Sequence, residues 1–152
     1  YDTFGIRNKD ASLSIYELDL PEMLADKKAK IEEAGLTSRV IYVPCDLSEG
    51  SWKDKLAECG FMCGRRTFCS MLGISYYLSR DEFKKLLKTL GSILSEGSAV
   101  CFDYPSKDKS QETQTNRILA GGANEKMKAQ YAEQELVTLL EECGFLIYEH
   151  LD

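Results

Sequence analysis

The side chains best suited to chemistry in this chain are three aspartates, each placed where an apolar run ends. Ser14 to Leu18 closes on Asp19, and Arg39 to Cys45, with Val40-Ile-Tyr-Val43 at its centre, closes on Asp46. Ser98 to Tyr104, with Ala99-Val-Cys-Phe at its centre, carries Asp103 near its end. An ionised carboxylate only accepts hydrogen bonds, so its partners are hydroxyls, amines and cations. At the carboxyl edge of a parallel sheet such a group receives the ribose hydroxyls of a nucleotide-like ligand. Leu20 and Pro21 follow Asp19, and proline fits the first turn of a helix because that position needs no amide donor. A strand ending in a carboxylate and running into a helix is the second half of a nucleotide-binding crossover. A plainer account stands beside it. Polar residues terminate strands, and a carboxylate is favoured at any helix N-terminus.

The missing partner of such a site is as informative as the carboxylates. A pyrophosphate needs a glycine-rich turn that donates backbone amides at a helix N-terminus, and this sequence contains no such turn. If Tyr1-Asp-Thr opens the first helix, a glycine loop and a first strand are expected upstream of residue 1. A ligand with ribose hydroxyls, an adenine amine and a positive centre, but no phosphate, suits carboxylates better. S-adenosylmethionine, with its cationic sulfonium and ammonium, meets that description.

Size and composition bound the remaining options. The 152 residues match one domain able to bury one core, with 43% hydrophobic and 29% charged residues. A net charge of −6 without a basic block argues against nucleic acid as a partner. No apolar run approaches the roughly 20 residues that span a bilayer, and no charged-then-apolar signal opens the chain, so no membrane partner and a cytoplasmic location are expected. Six cysteines occur without a Cys-x-x-Cys pair, and His150 is the only histidine. Buried, reduced thiols account for them better than a disulfide or zinc framework, and no metal is expected.

The elements that must hold the aspartates can be read in order. Tyr1 to Arg7 begins a helix with Asp2 or Thr3 near its cap. The strand ending on Asp19 follows, then a helix from Pro21 to about Ala34 with Met23, Leu24, Lys27, Lys28 and Ile31 at helical spacing and Gly35 beyond its end. After the strand that ends on Asp46, Ser51 caps a short helix to about Glu58, stopped by Gly60. Thr67 to about Leu72 is a third strand. Ser79-Arg-Asp-Glu82 is a capping box before a helix that aligns Phe83, Leu86, Leu87, Leu90 and Leu94. Ser98 to Tyr104 is the fourth strand. A possible helix near Gln111 to Leu119 and a mobile Gly121-Gly122 pair follow. A last helix runs from Glu133 to Cys143, stopped by Gly144, and Phe145 to His150 reads as a fifth strand. Alternating strands and helices, with strands buried on both faces, imply an α/β fold with a mainly parallel sheet. Right-handed crossovers then bring the three aspartates to one rim.

Five blocks now carry a family resemblance: Asp2-Thr-x-x-x-Arg7, Tyr16-Glu-Leu-Asp-Leu-Pro21, Tyr42-Val-Pro-Cys-Asp-Leu47, Gly73-Ile-Ser-Tyr-Tyr-Leu78 and Gly97-Ser-x-x-x-Phe-Asp-Tyr104. Their order resembles the leucine carboxyl methyltransferase family, including its bacterial polyketide-type O-methyltransferases. The likeness runs from residue 1 to about residue 105, with a looser echo in Glu133 to Phe145. It implies a class I Rossmann-like methyltransferase fold with helices on both faces of the sheet, and S-adenosylmethionine as methyl donor. Asp2, Thr3 and Arg7 resemble the tail of the family's Gly-x-Gly-x-Asp-Thr-x-x-x-Arg loop. Asp19 is similar to the acidic residue that meets the ribose, with Glu17 beside it, and Asp46 and Leu47 resemble the pair beside the adenine. Many members carry Glu where this chain has Leu72, at the methionine end of the site. The resemblance also implies a strand and glycine loop ahead of Tyr1, the central first strand of the sheet, and an antiparallel strand after Asp152. The 152 residues are therefore expected to form a partial S-adenosylmethionine-binding domain: a piece of a larger enzyme, a shortened chain, or one completed by a partner.

Other residues carry two readings each. Asp103 and Tyr104 face the methyl group or substrate, or simply lead into a Pro105 turn. Tyr76 and Tyr77 line the pocket, or pack in an aromatic core. His150 is read as a surface residue at a strand end rather than a general base. Trp52 anchors its helix. The stretch from Pro105 to Tyr131 is a lid over the substrate or a disordered loop. Methyl transfer from a sulfonium is a direct displacement that needs alignment above all, and no catalytic dyad stands out in the sequence. The leading expectation is an O-methyltransferase acting on a carboxylate or hydroxyl of a small molecule or protein C-terminus. A non-catalytic interaction module and a nicotinamide-dependent dehydrogenase are the alternatives.

Overall fold

A computed structural model describes residues 3–8, 10, 12–107 and 127–151. The expected Gln111 to Leu119 helix and the Gly121-Gly122 pair lie outside them. Two compact units make up the chain, Tyr1–Met62 and Cys63–Asp152.

In the first unit, α1 (Phe4–Arg7) precedes β1 (Tyr16–Asp19), α2 (Pro21–Glu33), β2 (Ile41–Pro44) and α3 (Trp52–Glu58). Strands β1 and β2 pair in parallel, with Tyr16 opposite Ile41 and Asp19 opposite Pro44. The parallel register follows from the α2 crossover, since a helix is the standard way to return the chain to the same end of a sheet. Helix α2 starts at Pro21, as its sequence demands, and ends in a glycine-dependent cap. Gly35 has φ 64°, its amide donates to the Glu32 carbonyl at 2.9 Å, and Leu36 N donates to Ile31 O at 3.0 Å. Those two bonds close the last turn of the helix. Leu24, Val43, Cys45, Trp52 and Leu56 form the buried core of this unit. Trp52 thus anchors α3, as read from the sequence.

The second unit holds β3 (Phe68–Met71), α4 (Arg80–Ile93), β4 (Ala99–Phe102) and α5 (Glu133–Glu142). Strands β3 and β4 are again parallel, Phe68 opposite Ala99 and Met71 opposite Phe102. The capping box that opens α4 is formed on both sides: Ser79 N donates to Glu82 at 2.6 Å and Glu82 N donates to Ser79 Oγ at 3.3 Å. Phe83, Leu86, Leu87 and Leu90 are buried along α4, joined by Ile93 rather than the expected Leu94. Leu136, Leu140 and Cys143 extend the core from α5.

Three expectations are corrected. Phe145 to His150 forms no strand: among the described residues it has no ladder partner, and Leu146 and Tyr148 are almost fully exposed. A β-prone sequence cannot become a strand until something satisfies its backbone groups. The strands are also less covered than their apolar runs suggest, Phe68 being 70% exposed. The six cysteines are free, but only Cys45 and Cys143 are fully buried; Cys59 and Cys69 are half-buried, and Cys63 and Cys101 are exposed.

Candidate functional site

The first unit brings Asp19 and Asp46 to one edge. Asp19 is the last residue of β1, and Asp46 lies two residues beyond β2, its parallel neighbour. The chain between them is fixed by Cys45 N, which donates to the Asp19 carbonyl at 2.9 Å. Asp19 Oδ1 accepts from Leu20 N at 2.8 Å. Asp46 Oδ1 accepts from Ser48 N at 2.8 Å and from Ser48 Oγ at 2.7 Å. Each carboxylate is therefore oriented by its own following turn. Both carboxylates act on Cys45, which stands between them in the chain. Burial pushes its thiol up to about 11; Lys55 pulls the other way, and Asp19 and Asp46 both raise it further. Leu47 is half-buried beside Asp46.

Glu17 sits elsewhere in the economy of the unit. Lys27 of α2, buried along its whole side chain, donates to both Glu17 oxygens at 2.6 Å. Glu17 is thereby committed to an ion pair rather than standing open beside Asp19. Asp2 lies outside the described residues. Thr3 caps α1 through its carbonyl, which accepts from Ile6 N and Arg7 N, both at 3.1 Å, and makes no side-chain cap. Arg7 is exposed in the last turn of α1. A hollow of about 310 Å³ in this unit is lined by Lys28, Ile31, Glu32, Leu36, Ser38 and Tyr42. None of the expected site residues lines it.

In the second unit the carboxyl ends of β3 and β4 are tied together by Asp103. Its Oδ1 accepts from Gly73 N at 2.6 Å, and its carbonyl accepts from the fully buried Ser75 hydroxyl at 2.6 Å. Gly73 adopts φ 75°, a left-handed turn that glycine reaches without strain. Asp103 therefore shapes the loop after β3. Tyr76 lies half-buried in that loop, and burial raises its hydroxyl pKa, with the Asp103 charge adding to the effect. Tyr77 and Leu72 are exposed, Leu72 by 66%.

Tyr104, next along the chain, meets a residue far from it in sequence. Its hydroxyl lies 3.0 Å from His150 Nε2, and the two rings are stacked at 20° with centroids 5.9 Å apart. His150 Nδ1 lies 3.6 Å from Glu133 Oε1 at the start of α5. No local signal marks this pair, since 46 residues separate its members. Among the described residues no three His, Cys, Asp or Glu side chains gather into a metal-sized cluster, and no helix is long and apolar enough to cross a membrane.

Parallel strands linked by helices, with polar groups gathered at the strands' carboxyl ends, define a Rossmann-like α/β protein. Solved structures agree on the fold. An O-methyltransferase family protein from Burkholderia thailandensis superposes with a TM-score of 0.67 at 12% identity, over 92% of this chain and 41% of that one. A provisionally assigned methyltransferase from Bacillus halodurans gives a TM-score of 0.62 at 17% identity, over 90% of this chain and 55% of that one. Residues 1–91 match the leucine carboxyl methyltransferase family, and the chain belongs to that family. YktD of Bacillus subtilis, provisionally named an S-adenosyl-L-methionine-dependent methyltransferase, is 36% identical over 99% of this chain and 52% of its own length. A relative from Frankia alni with the same provisional name is 35% identical over 62% of this chain. The chain thus spans about half the length of YktD.

Proposed function

We propose that the full-length protein is an S-adenosylmethionine-dependent O-methyltransferase. The observation that carries this reading is the pair of carboxylates on adjacent parallel strands, Asp19 ending β1 and Asp46 just past β2, in a chain of this family. The donor set fits the cofactor's ribose. Asp19 is engaged through Oδ1 by Leu20 N, and Oδ2 has no hydrogen bond among the described residues, so it can accept from a ribose hydroxyl. Asp46 and the half-buried Leu47 would flank the adenine, one offering a polar acceptor and the other an apolar contact. The Thr3 and Arg7 end of the chain, with Asp2, would border the same ligand.

When bound, the cofactor supplies an electrophilic methyl group and leaves as a neutral thioether that needs no proton. The protein's own work is therefore to align the acceptor oxygen and exclude water. Tyr76, Tyr77, Asp103 and Tyr104, at the carboxyl ends of β3 and β4, are the residues we assign to the acceptor, a small molecule bearing an oxygen nucleophile. Asp103 acts there by fixing the Gly73–Ser75 turn.

Asp19→Ala in the full-length protein is expected to weaken cofactor binding by about 1–3 kcal/mol, the range for leaving hydrogen-bonding groups unpaired. Isothermal calorimetry measures it directly. Unchanged affinity would remove Asp19 from the site, and no binding by the unaltered protein would overturn the proposal.

A further inference from the structure

We infer that Tyr104 and His150 form a proton-accepting pair, with Glu133 positioning the imidazole, and that the methyl acceptor is accordingly a hydroxyl compound such as a phenol or alcohol. The inference rests on the methyltransferase reading above and goes beyond it by naming the acceptor class. A carboxylate acceptor is ionised at neutral pH and needs no base, whereas a hydroxyl becomes a competent nucleophile only as its proton leaves.

The geometry is that of a relay. Tyr104 stands two residues past the end of β4, at the edge of the sheet where ligands of such folds bind. Its hydroxyl and His150 Nε2 are 3.0 Å apart, a hydrogen-bond distance, with the rings nearly parallel. Glu133 Oε1, 3.6 Å from Nδ1, faces the side of the imidazole opposite to the tyrosine. That separation is longer than a hydrogen bond, so Glu133 acts through its charge, which favours the proton on Nδ1 and leaves Nε2 as the acceptor.

Tyr104 is also held rather than loosely exposed. On one side Asp103 is bonded to Gly73 N and Ser75 Oγ; on the other the Pro105 carbonyl accepts from Tyr131 N at 3.0 Å. The Tyr104 ring meets the edge of Tyr131 at 6.5 Å and 81°. Tyr131 is itself 1% exposed, with the Arg80 guanidinium 5.2 Å over its ring. These contacts hold the backbone and ring of Tyr104 and so keep its hydroxyl within reach of His150 Nε2, the alignment a proton relay requires.

The step balances. As the acceptor oxygen takes the methyl group, whose bond to the sulfonium sulfur breaks with its electron pair left on sulfur, the acceptor's O–H bond breaks and the proton bonds to Tyr104 Oη. The original Tyr104 proton passes to His150 Nε2, whose lone pair takes it. The resulting imidazolium faces the Glu133 carboxylate and later releases its proton to water.

Two measurements on the full-length protein test the pair without any methyl acceptor. The first uses N-acetylimidazole: Tyr104 Oη attacks the acetyl carbon, its proton moves to His150 Nε2, and the leaving nitrogen takes a proton from that imidazolium or from water as imidazole departs. Peptide mass spectrometry is expected to show Tyr104 acetylated about a hundredfold faster in the unaltered protein than in His150→Gln, at the modest end of general-base effects. Tyr148, fully exposed, should react equally in both. The second is nitrogen NMR of His150, its signals assigned by their loss in His150→Gln, expected to show the neutral ring protonated on Nδ1, with a shift toward the Nε2-protonated form in Tyr104→Phe. Equal Tyr104 acetylation in the two proteins, or a neutral ring protonated on Nε2 in the unaltered protein, overturns the pair. Methyl transfer to aliphatic carboxylates but not to phenols overturns the acceptor class. Failure to bind S-adenosylmethionine would instead strike the methyltransferase reading, and the acetylation and NMR results would stand apart from it.

Discussion

Lys27 is buried to 4% exposure and holds Glu17 with two 2.6 Å contacts. Removing one member of a buried ion pair strands the other charge, at about 3–5 kcal/mol. Glu17 keeps a fifth of its side-chain surface, so the lower end applies, and Lys27→Met is expected to cost about 3 kcal/mol. The double variant Glu17→Met, Lys27→Met should recover part of that loss, because it no longer strands the Glu17 charge. Urea unfolding reads both. A Lys27→Met protein within about 0.5 kcal/mol of the parent would mean that Glu17 is readily rehydrated, and would return it to the candidate ligands. This scale was only half legible in sequence. The helical spacing of Lys27 with Leu24 and Ile31 was visible, and so was the strand-end position of Asp19. What the α2 crossover would set opposite Glu17 was not. The Tyr104 and His150 contact was hidden for the same reason: it is made by folding, between residues with no common period.

Helices were the most legible elements, because their ends are written in local chemistry. Pro21, the Ser79 and Glu82 box, and the glycines at 35 and 144 mark boundaries that the structure keeps within a residue or so. Strands were found in place but ran too long, since a strand lasts only as far as its ladder. Phe145 to His150 shows the extreme case. Packing between helices was not legible at all, and Gly91 illustrates it. A Cβ at Gly91 of α4 would lie 2.8 Å from the Cys143 carbonyl oxygen at the end of α5. The same junction carries a Cys143 Sγ contact to the Lys84 carbonyl at 3.8 Å and an ion pair between Lys84 and Glu142. Gly91→Ala should therefore force a backbone shift costing about 1–3 kcal/mol. The better helix propensity of alanine offsets about 1 kcal/mol of this. A net loss, with a lower thermal midpoint, is the expected result. A variant more stable than the parent would show that α4 and α5 do not approach this closely.

At the level of the whole molecule, the ionisable groups displaced by folding set a pH window for stability. Side-chain bonds from Lys107 lead the causes that hold Glu135 down at about 2, followed by the Ala132 amide and Arg80. Glu82 is lowered by its bonds to Ser79, and Glu142 by its bond to Lys84. A depressed carboxylate contributes stability that is complete above its unfolded pKa, near 4.5, and is lost as pH falls toward the folded value. At the other end, burial raises the Cys45 and Cys69 thiols to about 11 from 9.0. A raised thiol contributes stability that is complete below the unfolded pKa and is lost as pH climbs through the folded one. The thermal midpoint should therefore be level from about pH 5 to 8, fall between pH 4.5 and 2, and fall again between pH 9 and 11. Glu135→Gln tests the acid arm. It removes the carboxylate that joins Arg80 of α4 to Lys107 beyond β4, so the midpoint at pH 7 should drop while the decline below pH 4.5 becomes shallower. High salt should flatten the same arm, because these partners are exposed and screened. An acid decline identical in the variant and the parent would show that Glu135 is not held down in the folded protein, and the network around it would then be surface decoration rather than part of what ties α4 to α5.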